Sequence, residues 1–249
     1  MTEKSGMTVP KDALALWAGE GETGFETAGS EDFQIPFLQL LQKGSPQVDD
    51  AKPEYKKEAK VGQFYDPATD ELMDELSVIP CHYKAAMVEW KPDMGGFAGV
   101  HPVGFEKDLK RNDKGQYVLE SGNLLVDTRY FFCLRKTDSG DLAPVIIALS
   151  SSQIKRAKTW MTRMRSRKIE KPDGTNFTPP MWSSFWNLTS TSEQNDKFTW
   201  KGWKMEKGDD VTDADVFKKA KETREMFMAS ENNINPSAPA QDGDDSGAM

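Results

Sequence analysis

The chain has 249 residues, of which 37% are hydrophobic and 29% charged, with a formal net charge of −8 and a mean hydropathy of −0.67. That length suits one domain with tails or two small domains. No apolar run approaches the roughly 18 residues of a membrane span, and the N-terminus lacks the apolar stretch of a secretory signal. Cys81 and Cys133 lie far apart in strand-like apolar segments, without partners at metal-ligand spacing. They read as reduced, buried thiols of a cytoplasmic protein.

In chain order, residues 1–32 are rich in Gly, Glu and Thr and read as a flexible acidic arm, with one short amphipathic stretch at 13–17. Residues 35–42 are densely apolar; Phe37, Leu38 and Leu41 fit one helical face, with Pro36 in the first turn and Gly44-Ser45-Pro46 as a stop. Residues 49–61 are charged loop, and Gly62-Gln63-Phe64-Tyr65 is a short strand entering a turn at Asp66-Pro67. Residues 76–90 form one long bent strand or two, and the glycines at 95, 96 and 99 mark a flexible loop. Residues 126–136 and 144–149 are strands by their β-branched and aromatic content, separated by a turn at Ser139-Gly140-Asp141.

Ser150, Ser151 and Ser152 are N-cap candidates for a helix over 151–168, with Ile154, Ala157, Met161 and Met164 on one apolar face. Pro172-Asp173-Gly174 ends that region, and strands follow at 185–190 and 197–205. A last helix spans 213–229, with Thr212 as its N-cap. Residues 231–249 are a low-complexity acidic tail that does not fold alone. Strands, then a helix, then two more strands give a mainly β (α+β) chain. That order fits a five-stranded OB-type barrel with an inserted basic helix, and a generic α+β sandwich gives the same string. The core domain is then 33–230, between the arm and the tail.

The acidic excess is concentrated at the two ends. Residues 151–205 carry eleven Lys/Arg against Glu170, Asp173, Glu193 and Asp196. Within them Trp182, Phe185, Trp186, Phe198, Trp200 and Trp203 are interleaved with Lys197, Lys201 and Lys204. Aromatic surfaces beside cations suit base stacking with phosphate neutralisation. The candidate nucleic-acid contacts are Lys155, Arg156, Arg163, Arg167, Lys197 and Lys201 for the backbone, and Trp186, Trp200 and Trp203 for the bases. Tyr130, Phe132 and Arg135 form a further group on the 126–136 strand. The alternative is that these aromatics pack the core and that the basic helix presents an ordinary solvated face.

No Walker loop, dinucleotide fingerprint, nucleophile elbow or paired metal-carboxylate motif occurs. Cys81 and His82 are adjacent, so along a strand they point to opposite sides. With only two histidines, histidine-based acid–base chemistry has little material. The expectation is a protein that is not an enzyme and has no metal and no cofactor.

The segment 32–42, the Gly62–Tyr65 turn, and the 144–149 strand running into a Ser-rich basic helix resemble tailed-bacteriophage replication proteins over roughly residues 32–205. The resemblance implies an OB-type core that binds single-stranded DNA in replication or recombination, in the host cell cytoplasm. It also implies an acidic C-terminal tail that contacts replication partners; this tail lacks the terminal aromatic that many such tails carry. Two rivals are an adaptor or phage inhibitor of a host factor, with the tryptophan cluster as hot spot, and a DNA-processing nuclease.

Overall fold

The structure is a computed structural model that describes residues 35–92, 95–113, 115–196 and 198–230, together with 17, 23, 24 and 26. The readings of the arm, of the acidic tail and of Lys197 lie outside the described residues. By its contacts the chain divides after Gln34, and the unit from Ile35 onward holds the sheets.

Residues 35–42, expected as a helix, are extended. Phe37 bridges Ile146 in parallel; Leu38 N–H donates to Ile146 O (2.9 Å) and Ile146 N–H to Pro36 O (2.8 Å). The chain continues into β1 (Gln39–Leu40), which pairs with β2 (Phe64–Asp66), which pairs with β3 (Glu71–Met73). The reason is tertiary. Extended backbone sends neighbouring side chains to opposite sides, and Phe37 and Leu38 enter two different core clusters. A helix would have turned both toward one.

The main sheet is built on two long strands, β4 (Leu76–Trp90) and, further along, β7 (Leu124–Lys136). Between them come β5 (Phe97–His101), formed where a flexible loop was expected, and β6 (Tyr117–Val118). Then follow β8 (Leu142–Ser150), helix α1 (Ile154–Ser166), the small hairpin β9 (Ile169–Glu170) and β10 (Asn176–Phe177), β11 (Ser184–Gln194), β12 (Thr199–Asp210) and helix α2 (Ala214–Ser230). β4 and β7 pair antiparallel, from Val78 opposite Arg135 to Trp90 opposite Leu124. The free edge of β4 takes β11 at residues 76–78 and β5 at residues 87–90. That of β7 takes β8 and β6. The path is β12-β11-β4-β7-β6, with β5 and β8 off it. The chain is mainly β, as expected. Its sheets are not closed into a barrel, so the five-stranded OB-type closure is not what forms: each long strand shares one edge between two partners, and the sheet extends instead of wrapping.

The β4–β7 register slips between Pro80 and His82, leaving Cys81 as the extra residue. Pro80 has no N–H for a central ladder, and bulges are where sheets accommodate proline. Both thiols are free and buried. Burial pushes that of Cys81 up to about 12 and raises that of Cys133 as well, so neither is a reactive thiolate.

The sheet is covered on both faces. On one, Trp160 of α1 stacks on Phe131 (4.3 Å), within a cluster that includes Cys133, Val145, Ile147 and Leu149. On the other, Phe227 of α2 packs on Phe132 (4.9 Å), and Ala220 joins Ile79, Cys81 and Leu134. α1 is entered through a 3-10 turn at Ser151–Gln153, with no side-chain cap on the helix. α2 is capped by Asp213 and not by the expected Thr212: its Oδ1 accepts from the N–H groups of Asp215 (2.8 Å) and Val216 (3.0 Å). No helix among the described residues is long and apolar enough to cross a membrane.

Candidate nucleic-acid interface

Five of the residues expected to contact nucleic acid are in the core. Trp186, Trp203, Tyr130, Phe132 and Arg135 are all less than a tenth exposed. Trp186 meets Trp160 edge-on (5.9 Å), and Trp203 lies on Phe64 (4.7 Å). Tyr130 and Phe132 belong to the cluster under α2, where burial raises the Tyr130 hydroxyl well above the usual phenol range. Arg135 is held by Glu71 (2.8 Å) and Asp66 (3.4 Å), fastening β7 to the small β1–β2–β3 sheet. The strand periodicity separates two faces correctly, but period alone does not tell which face is covered.

The three arginines expected to neutralise phosphates have partners in the protein. α1 runs along the outer edge of β12. There Gln153 Oε1 accepts from Trp203 N–H (3.1 Å), and Arg163 Nη1 donates to Met205 O (2.7 Å). Gln42, from the segment after β1, accepts from Lys201 N–H (2.8 Å) and donates to Lys201 O (2.9 Å). Side chains thereby close an edge that would otherwise offer open backbone groups to another strand. At the start of the helix Arg156 donates through Nε (2.9 Å) and Nη2 (2.6 Å) to Glu193 Oε1. At its end Arg167 donates to Ser183 Oγ (3.2 Å), Ser184 Oγ and Asp210 Oδ1 (2.9 Å). A hydrogen bond from Lys207, with help from Ser184 and Arg167, holds the Asp210 carboxyl below the usual carboxylate range. Arg156, Arg163 and Arg167 thus tie the helix to the β11–β12 hairpin.

A different set faces solvent. Lys155, Lys158 and Arg165 are exposed and recur at helical spacing on the side of α1 opposite Ala157, Trp160 and Met164. None has an ion-pair partner among the described residues. Thr159 and Thr162 share this stripe, their hydroxyls donating to Lys155 O and Lys158 O (2.9 Å each). Beyond the helix, β9 and β10 present the exposed Phe177 with Lys171 Nζ over its ring (5.7 Å).

The outer face of β11–β12 completes the surface. Register places Glu193 opposite Trp200, Thr191 opposite Gly202 and Thr189 opposite Lys204. The other face holds Leu188, Trp203 and Met205 in the core. Trp200 is half-buried and Lys204 exposed, and Phe198, two residues earlier, is exposed beside the turn. Lys201 is on the inner side, its Nζ donating to Ser192 Oγ (2.9 Å). Of the expected site, Lys155 stays exposed and Trp200 partly so; Arg156, the neighbour of Lys155 in the chain, bonds Glu193, which pairs with Trp200. Phe198, Lys158, Arg165, Lys204 and Phe177 are additions. The helical spacing of 155, 158 and 165 away from the apolar face was the signal for the two cations on α1.

Among the described residues no group of three or more His, Cys, Asp or Glu is placed to hold a metal ion. His101 Nε2 lies 2.6 Å from Glu89 Oε2 and its ring stacks on Phe105. Asn123 and His101 together keep the Glu89 carboxyl below its ordinary range.

The model of the Pam3 phage gp34-like protein family matches residues 3–233. The chain belongs to this family. Membership makes it a phage-type protein, in line with the resemblance drawn from residues 32–205, and the family's description carries no activity. No curated protein and no solved structure matches the chain.

Proposed function

We propose that this member of the phage family binds single-stranded DNA as a non-catalytic protein, without metal or cofactor, in the replication or recombination of its genome in the host cytoplasm. One observation carries the reading. Exposed Phe198 and half-buried Trp200 border a helix whose solvent side bears Lys155, Lys158 and Arg165 without ion-pair partners among the described residues. Bases stack on exposed rings, and cations beside them neutralise the phosphates. Phe177 with Lys171 at the far end of the helix offers a second stacking surface of the same kind. The rival adaptor reading uses the tryptophans as an interface hot spot and needs accessible indoles, which Trp186 and Trp203 are not. The acidic tail, 231–249, would either compete with DNA for these cations or recruit replication proteins.

The test is a titration of labelled oligo(dT) and of the matching duplex at low and moderate salt. Expected are preferential single-strand binding, a steep loss of affinity with salt and quenching of tryptophan emission. Trp200→Phe should remove most of the quench. Absence of single-strand binding at micromolar protein and low salt would overturn the reading. Loss of the oligonucleotide only when a divalent metal is added would point to the nuclease.

A further inference from the structure

Gly202 sits in the middle of the outer hairpin face, two residues from Trp200 on one side and from Lys204 on the other. Strand alternation puts all three on the same side. A Cβ at Gly202 would overlap the carboxylate of Glu193, and the three atoms nearest to that imagined Cβ all belong to Glu193. Glu193 therefore lies across the bare backbone of Gly202. Its Oε1 is the shared acceptor of two N–H groups of Arg156, at 2.6 and 2.9 Å. The Glu193 side chain is 19% exposed and that of Arg156 41%.

We infer that the space over Gly202 is a subsite for one backbone phosphate of the bound strand, and that Glu193 fills it in the free protein as an internal stand-in for that phosphate. The inference rests on the single-strand reading above. The chemistry of the place suits an oxyanion. A glycine floor allows close approach to the strand. Arg156 presents a fork of N–H donors that fits phosphate as well as carboxylate. Lys204, on the same strand face, adds an exposed ammonium that pairs with Glu206 (3.0 Å) in the free protein, and Trp200 flanks Gly202 on the other side for the attached base. The carboxylate now there is held by a partly exposed ion pair, which solvent weakens, so a polyanion that gains several contacts at once displaces it readily. The free protein thus carries a built-in competitor that weakens binding of isolated anions and yields to a continuous strand.

Four variants test this with labelled oligo(dT) across a salt series. Glu193→Gln should tighten binding several-fold and steepen the logarithmic salt dependence by about 0.7, the increment for one more phosphate on a single strand. In the Glu193→Gln background Gly202→Ala should abolish that gain, because a methyl there excludes a phosphate as it would a carboxylate; a general charge effect would leave the gain intact. Arg156→Gln should weaken binding less in the parent, where Glu193 competes for the guanidinium, than in the Glu193→Gln protein. In the Glu193→Gln background it should abolish the gain. The subsite is refuted if Glu193→Gln binds with parental slope, if Gly202→Ala leaves the gain of Glu193→Gln intact, or if Arg156→Gln weakens both backgrounds equally. Failure of the parent protein itself to bind single strands would instead remove the nucleic-acid reading, and the subsite with it. Thermal melts of all four proteins check that the hairpin stays folded.

Discussion

Two flanks of one helix carry the same kind of charge and do different work. On α1 the side toward the hairpin holds Arg156, Arg163 and Arg167, and each is hydrogen-bonded to oxygens of β11 or β12 or of the residue just before them. The solvent side holds Lys155, Lys158 and Arg165, exposed and without ion pairs among the described residues. The difference teaches that a count of basic residues on a helix says little about what they meet. A guanidinium reaching a strand edge or a buried serine is a fastener. A cation with only water around it is free to meet a polyanion. Arg163 and Arg167 should therefore govern stability, and the lysine-bearing stripe affinity.

The largest effect belongs to the third side of the helix, which anchors both flanks. Trp160→Ala removes the ring stacked on Phe131 and packed against Trp186. It should cost about 3–5 kcal/mol in denaturant unfolding. A smaller cost, under about 1 kcal/mol, would mean that the arginines and not the apolar face hold α1 in place.

Next comes the solvent stripe. Reversal of Lys155, Lys158 and Arg165 to Glu should lower oligo(dT) affinity by about a hundredfold or more and flatten the salt slope by about 2, from three lost phosphate contacts. Unfolding free energy should move by no more than about 0.5 kcal/mol per site. A triple variant that bound normally would reduce the stripe to a solvated face and break the comparison.

The opposite pattern is expected at Arg167. Arg167→Ala leaves Ser184 and Asp210 without their guanidinium partner and should cost about 1–2 kcal/mol of stability. Its affinity for oligo(dT) should stay within twofold. Weakened binding at unchanged stability would reassign Arg167 to the other flank.

The smallest effect is a pH dependence at the same joint. The folded-state pKa of Asp210 lies below its ordinary value, so the stabilisation is present above the unfolded aspartate range and is lost as pH falls through the folded value. Because the side chain is half exposed, solvent screening keeps the contribution to a fraction of a kcal/mol. Asp210→Asn should therefore lose less stability than the parent between about pH 5 and pH 2. Parallel curves for the two proteins would show that the carboxylate contributes nothing to the joint.

Much of the architecture was legible because it depends on local pattern. The long strand at Leu76–Trp90, the strand pair around 126–149, the basic helix, the two late strands and the last helix all follow from periodicity and from turn residues such as Ser139-Gly140-Asp141. What failed at this level has a physical cause in each case. The segment at 35–42 has apolar residues compatible with a helix, but Ile146 supplies the backbone partners that make it a strand. The glycines at 95, 96 and 99 suggested a loop, yet residues 97–101 extend along the free edge of β4. Helix 151–168 carries seven cations, and the pattern marks which lie off the apolar face. It does not contain the information that three of the arginines find Glu193, Met205 and Ser184 with Asp210, which are 17 to 43 residues further along.

The amino-acid sequence alone determined that this is a mainly β protein with two helices in the core region, buried unreactive thiols and a concentration of basic and aromatic residues between 151 and 205. Those properties are set by composition and by spacing over a few residues, which elementary backbone geometry converts into faces. Tertiary structure alone decided whether the strands close, which face of each strand is covered, and which charges are already bonded. These depend on what arrives from elsewhere in the chain. Trp203 is buried because Phe64 comes to meet it, and Trp200, three residues away on the opposite side of the same strand, is covered only in part. Pairing and burial are properties of long-range contacts, and a local pattern cannot state them.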